Sequence, residues 1–280
     1  MSNWAFRRIL PASALALAGC GGGTDMHVVA WTPPPPTPAI IAGATTSQQF
    51  TAVGATHPWG GGEALLGAAD QLQVRYVQSS NSYEVQLPHS QTWGAIKESA
   101  GSATGFEGAV GLTLRQPGYS YSNVISWSDG ANYYGLEAIG VPTPASGVPI
   151  TGSASYSGNF WGQTSETYQN KPVTTYGGVE LAFDFAKGSL SGRLLPFLYY
   201  QATADEYSLP SVDFSETVYS TGSTSFSGKF DTTLAGVNSF SGLFTGPNAE
   251  ELIGNFALPY QSPMDSQTYQ SDGAFDGKKH

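Results

Sequence analysis

Four short segments of the chain share one pattern, and this pattern constrains the fold more than any other feature. Three segments read aromatic-Ser-Gly-x-Phe and one reads Leu-Ser-Gly-x-Leu: Tyr156–Phe160, Phe226–Phe230, Phe240–Phe244 and Leu190–Leu194. Residues i, i+2 and i+4 of a strand lie on one face, so each segment places a glycine between two large side chains. Small residues alternating with large ones suit the tapered interior of a small closed barrel, and a glycine permits the bend that closure needs.

The composition agrees with short strands and tight turns. Charged residues make up 11% of the sequence, aromatic residues 12%, and glycine occupies 35 of 280 positions. Helical bundles and coiled coils depend on Ala, Leu, Glu, Lys and Arg, so they are disfavoured. A lipid-facing barrel is the competing interpretation, but it needs an outer apolar band over about ten residues per strand. The strands here are shorter, and their second face carries Ser, Thr, Asp and Lys. We therefore predict an all-β protein.

Charge and cysteine content exclude several classes of protein. The formal net charge of −10 disfavours a nucleic-acid partner. No apolar run reaches the roughly 18 residues of a membrane-spanning helix. Cys20 is the only cysteine, which excludes an internal disulfide framework and a cysteine-rich metal site.

The first residues have the features of a bacterial export signal. Arg7 and Arg8 precede a short apolar stretch, and Leu17–Cys20 reads as a lipobox, Leu-Ala-Gly-Cys. An ordinary secretory signal is the alternative, but the single cysteine falls at the position that a lipobox requires. We predict a signal peptide over 1–19 and lipid attachment at Cys20, with anchoring in the outer membrane because no Asp follows the cysteine.

Three regions follow the predicted signal peptide. Residues 20–48 form a Gly/Pro-rich tether that contains a polyproline run. Residues 49–147 alternate in the manner of strands, including a hairpin built from Leu72, Val74, Tyr76, Tyr83, Val85 and Leu87. A short helix is predicted around Glu63–Ala69. Residues 148–280 contain the four barrel segments.

The C-terminal third resembles a known family. Phe240–Phe256, with the sequence FSGLFTGPNAEELIGNF, resembles the signature of transferrin-binding protein B and its barrel-domain relatives, which are surface lipoproteins of Gram-negative bacteria. Pro149–Gly158 resembles the first strand of that barrel, Val179–Gly192 its next hairpin, and Tyr121–Trp127 the preceding handle. The resemblance implies an eight-stranded antiparallel β-barrel over 148–280 behind a smaller β-rich handle region over 49–147. The chain departs from this pattern in having only one such lobe, where transferrin-binding protein B has two.

The family-like segment contains a turn with two adjacent carboxylates. Pro247 donates no hydrogen bond and breaks the strand, and the residue before it, Gly246, is expected to be extended. Ala249–Glu251 is predicted to form one helical turn. Glu250 and Glu251 resemble an acid–base pair, but carboxylates that cap a turn near a helix N-terminus are the favoured interpretation.

We predict no catalytic residue, no metal site and no cofactor. The four histidines, His27, His57, His89 and His280, form no His-x-x-x-His pair. The sequence also lacks a Gly-x-Ser-x-Gly elbow and a phosphate-binding loop. His57 and His89 are candidate haem ligands, because haem iron takes an axial His or Tyr, although polar loop histidines are the favoured interpretation.

Together these features predict a binding protein rather than an enzyme. We expect a surface-exposed lipoprotein of the outer membrane, attached through Cys20. By resemblance, its barrel is a scaffold whose loops capture an iron source, such as a host iron protein or haem, or another ligand, for an outer-membrane receptor. The alternatives are a structural or adhesive envelope lipoprotein and a carbohydrate-active enzyme, whose carboxylate pair the sequence cannot test.

Overall fold

The computed structural model describes residues 41, 46–59, 63–67, 70–80, 82–88, 90–95, 111–114 and 119–280, with only the backbone of 111–114. The predicted signal peptide, Cys20, most of the tether and His89 lie outside these residues. Within the described ranges, no helix has the length and apolar character needed to cross a bilayer.

The first sheet, which we call the handle, precedes the barrel in the chain. Its seven strands are β1 (Gln48–Pro58), β2 (Gln73–Val77), β3 (Ser82–Gln86), β4 (Trp93–Ala95), β5 (Gly111–Leu114), β6 (Ser122–Ser128) and β7 (Tyr133–Gly140). They are ordered β4-β3-β2-β1-β7-β6-β5, and the predicted β2–β3 hairpin is confirmed. Strand β1 connects the two halves, since its start pairs with β2 and its remainder pairs with β7.

The helix predicted around Glu63–Ala69 is not formed over residues 63–67. Leu65 instead makes an isolated antiparallel bridge to Thr56 of β1. The Thr56 amide donates to the Leu65 carbonyl at 3.0 Å, and the Leu65 amide donates back at 2.8 Å. Bonding to β1 thus replaces the intrahelical bonds that the local sequence favoured.

The second sheet closes on itself as the predicted eight-stranded antiparallel barrel. Its strands are β8 (Ser153–Tyr168), β9 (Lys171–Asp184), β10 (Ser189–Tyr200), β12 (Val212–Val218), β13 (Ser225–Phe230), β14 (Ser239–Thr245), β15 (Glu251–Gln261) and β16 (Thr268–Lys279). Closure comes from the pairing of β16 with β8 and of β9 with β10. A short additional strand, β11 (Asp205–Ser208), pairs with the end of β10.

The four glycine-containing segments line the barrel interior, as predicted. All eight of their large residues are buried in one apolar cluster, together with the ring of Phe275. Phe226 pairs across the strands with Gly242, and Phe275 pairs with Gly254. A Cβ atom added to either glycine would collide with the ring of its partner. The glycines therefore leave the space that the neighbouring rings occupy.

The handle packs against the outside of the barrel. Val124 and Ala138 of the handle are fully buried against Ile253 and Ala274, which project outward from β15 and β16. The opposite face of the handle has its own apolar core, which includes Phe50, Leu72, Val74, Tyr83, Val85 and Ile125. One sheet is thus covered on both faces, which explains the near-continuous burial of β7.

The two ends of the barrel differ. One end, which we call the distal end, carries the connections at 169–170, 201–204, 231–238 and 262–267. The proximal end carries the connections at 185–188, 219–224 and 246–250. The handle enters at the proximal end through a short 3-10 turn, Ala145–Gly147, after which Val148 joins the barrel core.

Candidate functional site

The family-like turn at 246–250 contains no helix. Gly246 has φ of +86° and Ala249 has φ of +57°, so the predictions of an extended Gly246 and of a helical turn over Ala249–Glu251 are both wrong. A left-handed residue cannot belong to a right-handed helix. Ala249 is fully buried, and its carbonyl accepts a hydrogen bond from the Tyr156 hydroxyl at 2.7 Å. This bond from the barrel interior holds the turn in place.

The two carboxylates of the turn have separate structural roles. Glu250 accepts hydrogen bonds from the Asn248 amide at 2.8 Å and from its side chain at 2.9 Å. Partial burial favours the protonated form of Glu250, but the bonds from Asn248 outweigh it and lower its pKa. Glu250 is therefore the turn-capping residue that the sequence predicts, although the turn is not a helix.

Glu251 instead connects the barrel to the handle. It is buried and accepts hydrogen bonds from the Ser120 amide at 2.8 Å, the Tyr121 amide at 2.9 Å and the Ser122 hydroxyl at 2.8 Å. These partners lie about 130 residues earlier in the chain. The expectation of a purely local role for Glu251 is wrong, and no local pattern indicates the contact.

Two further carboxyl groups are buried, and no sequence pattern indicates them. Glu137 of β7 accepts from the Trp127 indole at 2.9 Å and from the Leu72 amide at 2.8 Å. Burial raises its pKa to about 7, although these bonds favour the charged form. Asp276 of β16 accepts from the Asn159 amide at 3.2 Å, and burial raises its pKa to about 7 as well. Both carboxyl groups are therefore buried within the packed sheets and accept hydrogen bonds there.

A polar network closes the distal half of the barrel interior. Glu166 is buried and accepts hydrogen bonds from the Tyr200 hydroxyl at 2.9 Å, the Tyr260 hydroxyl at 2.8 Å and the Ser262 hydroxyl at 2.9 Å. It joins β8, β10 and β15 to the start of the 262–267 connection. The network fixes that loop on a rigid base.

His57 is not the polar loop histidine that the sequence favours. It lies in β1, is 8% exposed, and stacks on Tyr134 with ring centroids 5.2 Å apart. Burial lowers its pKa to about 4, and a hydrogen bond to the Asp272 backbone offsets this only in part. Its Nε2 atom has no hydrogen-bond partner in the structure.

His57 lines a cavity between the handle and the distal half of the barrel, which we call the cleft. The cleft has a volume of about 500 Å³ and is lined by His57, Pro58, Glu63, Ala64, Leu66, Tyr134, Thr164, Ser165, Thr167, Val237, Gln270 and Asp272. Burial raises the pKa of Asp272 to about 6, and the charge of Glu63 raises it further. Two carboxyl groups of this kind repel the propionates of haem, so the cleft does not support a haem role for His57.

The ionisable side chains of the cleft do not converge among the described residues. Across the part of the chain that the structure describes, no group of three or more His, Cys, Asp and Glu side chains converges to hold an ion. His57, Glu63 and Asp272 therefore line the same cavity without forming a ligand set.

Three exposed apolar side chains lie near the mouth of the cleft or in the distal connections. Trp59 is 52% exposed and rests on Tyr134, with ring centroids 4.6 Å apart. Val237 and Met264, in two distal connections, are 52% and 41% exposed. Aromatic and apolar residues exposed in this way are typical anchors of protein interfaces.

Comparison with known families gives one match, which covers the barrel. Residues 148–279 match the family described as C-lobe and N-lobe beta barrels of Tf-binding protein B. The barrel of this chain is therefore similar to the barrels of that family, and the match covers a little less than half of the chain. The match of the transferrin-binding protein B barrel begins at Val148, which joins the barrel core, and ends at Lys279, the last residue of β16. No curated protein sequence matches the chain.

Solved structures give a wider set of similarities. Transferrin-binding protein B from Haemophilus parasuis, solved as a single-residue mutant, is 17% identical with a TM-score of 0.49, over 82% of this chain and 45% of that one. The same protein from Neisseria meningitidis is 15% identical with a TM-score of 0.49, over 82% and 43%. HpuA from Kingella denitrificans, in complex with human haemoglobin, is 14% identical with a TM-score of 0.42, over 84% and 88%. The chain thus spans less than half the length of the first two proteins.

Proposed function

We propose that this protein is a surface-exposed lipoprotein of the outer membrane that captures an iron-carrying host protein. The observation that carries the proposal is the barrel family of residues 148–279, whose description names transferrin binding. Lipid attachment at Cys20 and transfer of the captured iron source to an outer-membrane receptor are parts of the same proposal. Binding rather than catalysis is the role that this family supports.

The distal end is the proposed recognition surface. Its connections rest on a closed barrel, which is rigid, while loops on such scaffolds vary in sequence and carry recognition. The Glu166 network fixes the 262–267 connection from below. Trp59, Val237 and Met264 provide exposed apolar anchors around it.

Capture of an iron-carrying protein tests this function. A soluble form of the chain that begins at Gly21 would be immobilised and exposed to transferrin, haemoglobin and free haem. We expect one of the two proteins to be retained. Because interface anchors carry much of the binding free energy, Trp59→Ser should weaken retention by about tenfold or more. Ile150→Ser is the matched control, since Ile150 is 63% exposed in a connection at the proximal end.

Three outcomes would contradict the proposal. The first is that neither transferrin nor haemoglobin is retained. The second is that Trp59→Ser and Ile150→Ser weaken retention equally. The third is that the chain hydrolyses a panel of glycans. The last result would favour the carbohydrate-active enzyme instead.

The lipid anchor has its own test in the producing cell. Cys20→Ser removes the only sulfur that can accept an acyl chain, so we expect an unprocessed precursor that incorporates no labelled palmitate and leaves the membrane fraction. A chain that is still labelled and still retained in the membrane would show that Cys20 is not the attachment site.

A further inference from the structure

Several hydrogen-bond donors that line the cleft are already used within the protein. The Gln270 side-chain amide already donates to the Val237 carbonyl at 3.0 Å and to Asp272 Oδ1 at 3.2 Å. The Thr164 hydroxyl donates to the Val173 carbonyl at 2.7 Å. The ring N–H of His57 is engaged by the Asp272 backbone. The donors of these three side chains are therefore used within the protein.

The cleft also contains two carboxyl groups and a ring nitrogen that can accept hydrogen bonds. Glu63 and Asp272 line the same cavity, and the charge of Glu63 contributes to the raised pKa of Asp272. His57 Nε2 has no partner. No lysine or arginine is among the residues that line the cleft, so neither carboxylate is neutralised there.

Aromatic rings form part of the handle wall of the cleft. Tyr134 stacks on His57 with an interplanar angle of 16°, and Trp59 covers Tyr134. The face of such a ring attracts a cation, most strongly where water is excluded. A flat guanidinium group also stacks on aromatic rings and donates in several directions.

We propose that the cleft between handle and barrel binds an organic cation, a guanidinium or ammonium group, between the carboxylates of Glu63 and Asp272 and the ring of Tyr134. The inference rests on the cavity, on its two carboxyl groups without a lysine or arginine among the lining residues, on the unpartnered Nε2 of His57 and on the ring of Tyr134, and it does not depend on the proposed capture of an iron carrier. The cation is either a diffusible amine or the Lys or Arg side chain of a captured protein.

Calorimetric titration of the full-length protein with agmatine tests the proposal, with uncharged butylurea as the control ligand. Asp272→Asn should weaken agmatine binding by about tenfold or more, since a charge-assisted hydrogen bond is lost. Glu63 is exposed, so Glu63→Gln should leave folding unchanged while it weakens binding several-fold. Asp205→Asn, on the exposed strand β11, is the matched control and should bind as the native chain does.

A second variant places a cationic side chain of the protein itself at the cleft. Thr167 is exposed and lines the cleft, so Thr167→Lys should fill it, abolish agmatine binding and raise the melting temperature. Binding to the native chain should strengthen between pH 5 and pH 7.5, as Asp272 loses its proton. Glu63 is the other carboxyl facing the cleft, while His57 and Tyr134 stay neutral across this range.

The two sources of the cation give different results. Sub-millimolar binding of agmatine alone indicates a diffusible ligand. Weak binding, together with agmatine competing against a captured protein, indicates a side chain of that protein. Equal binding by the native chain and both carboxyl variants, or butylurea binding as well as agmatine, would overturn the proposal.

Discussion

At the scale of single residues, the barrel interior is built from phenylalanine rings that lie over glycines of the neighbouring strand. Phe226 covers Gly242, Phe240 covers Gly228 and Phe275 covers Gly254. Each ring fills the volume that a second side chain would need, so the glycines contribute packing space as well as backbone freedom. The spacing of these residues in the sequence therefore reflects the packing of side chains inside the barrel.

Gly254→Leu should destabilise the barrel by about 1–3 kcal/mol, because overpacking forces rings and backbone out of place. A Cβ atom at Gly254 would collide with the Phe275 ring and lie 2.5 Å from the Ser241 carbonyl oxygen. Denaturant unfolding followed by circular dichroism measures the change. Gly178→Ala is the control: its Cβ meets Leu195 at an ordinary 3.5 Å, so its effect should stay within about 0.5 kcal/mol. Equal stability of the two variants would contradict the ring-over-glycine packing.

The two carboxylates of the family-like turn should respond differently to the same change. Glu251→Gln turns an acceptor of three hydrogen bonds into a group that presents an N–H to other donors, at a cost of about 1–3 kcal/mol. Glu250→Gln removes only a local cap at the surface and should cost less than about 1 kcal/mol. Hydrogen exchange of residues 119–122 should rise in the first variant alone. Equal effects in both variants would mean that Glu251 is a turn residue only.

At the scale of elements, strand β7 is the most deeply enclosed part of the handle. It pairs with β1 and β6 on its edges and packs on the barrel through Ala138. Its buried Glu137 receives hydrogen bonds from Trp127 of β6, Thr56 of β1 and Leu72 before β2. One side chain therefore links three segments of the handle.

The buried Glu137 makes handle stability depend on pH. The folded state holds its proton up to about pH 7, whereas the ordinary value is 4.5. The folded state thus binds more protons between these limits, so the contribution of Glu137 to the free energy of unfolding falls as pH rises from about 4.5 to 7. Relative to Glu137→Gln, the native chain should lose stability across that window, by at most about 3 kcal/mol. The native chain should then level off above pH 8.

Denaturant unfolding of both proteins at half-unit pH steps measures this difference. Asp276 and Asp272 act in the same direction, because burial raises their pKa values too. His57 acts in the opposite direction, because burial lowers its pKa. The subtraction of the variant isolates Glu137, and a difference that is flat with pH would contradict its titration in the folded handle.

At the scale of the whole molecule, the handle and the barrel share an apolar interface. Ile253 is fully buried there, against Val124 and Ala138. In the intact chain, Ile253→Asn buries an amide without partners and should destabilise by about 1–3 kcal/mol. In the fragment Val148–His280 the same side chain is exposed, so the substitution should leave the β-type circular dichroism unchanged and reduce self-association. Size-exclusion chromatography and unfolding curves of both pairs measure this reversal.

The sequence predicts the barrel better than it predicts the contacts of the barrel. Strand periodicity and the aromatic-Ser-Gly-x-Phe segments follow from neighbours two and four residues apart, which any strand brings onto one face. The partners of Glu251 and His57 are set by how handle and barrel meet, and they lie far away in the chain. Local reasoning therefore assigned Glu251 to a turn and His57 to a loop.

The cleft illustrates the same limit. Glu63, Tyr134 and Asp272 come from three distant parts of the sequence, and none belongs to a motif. Their meeting depends on the bridge between Leu65 and Thr56, which replaces the helix that the local composition favours. A sequence pattern based on nearby residues does not predict a contact of this kind.

The closure of the barrel by its first and last strands also has a consequence for the time course of folding. Strand β8 pairs with β16, and the Asn159–Asp276 contact joins residues 117 positions apart. Non-local pairing of this kind makes folding slow, because the entropy of closing a long loop is lost before the contacts form. A chain emerging from its N-terminus cannot complete the ring until strand β16 is available. Until β16 has been made, the barrel therefore remains open, and an open chain of this kind is the state in which a protein can still be translocated across a membrane.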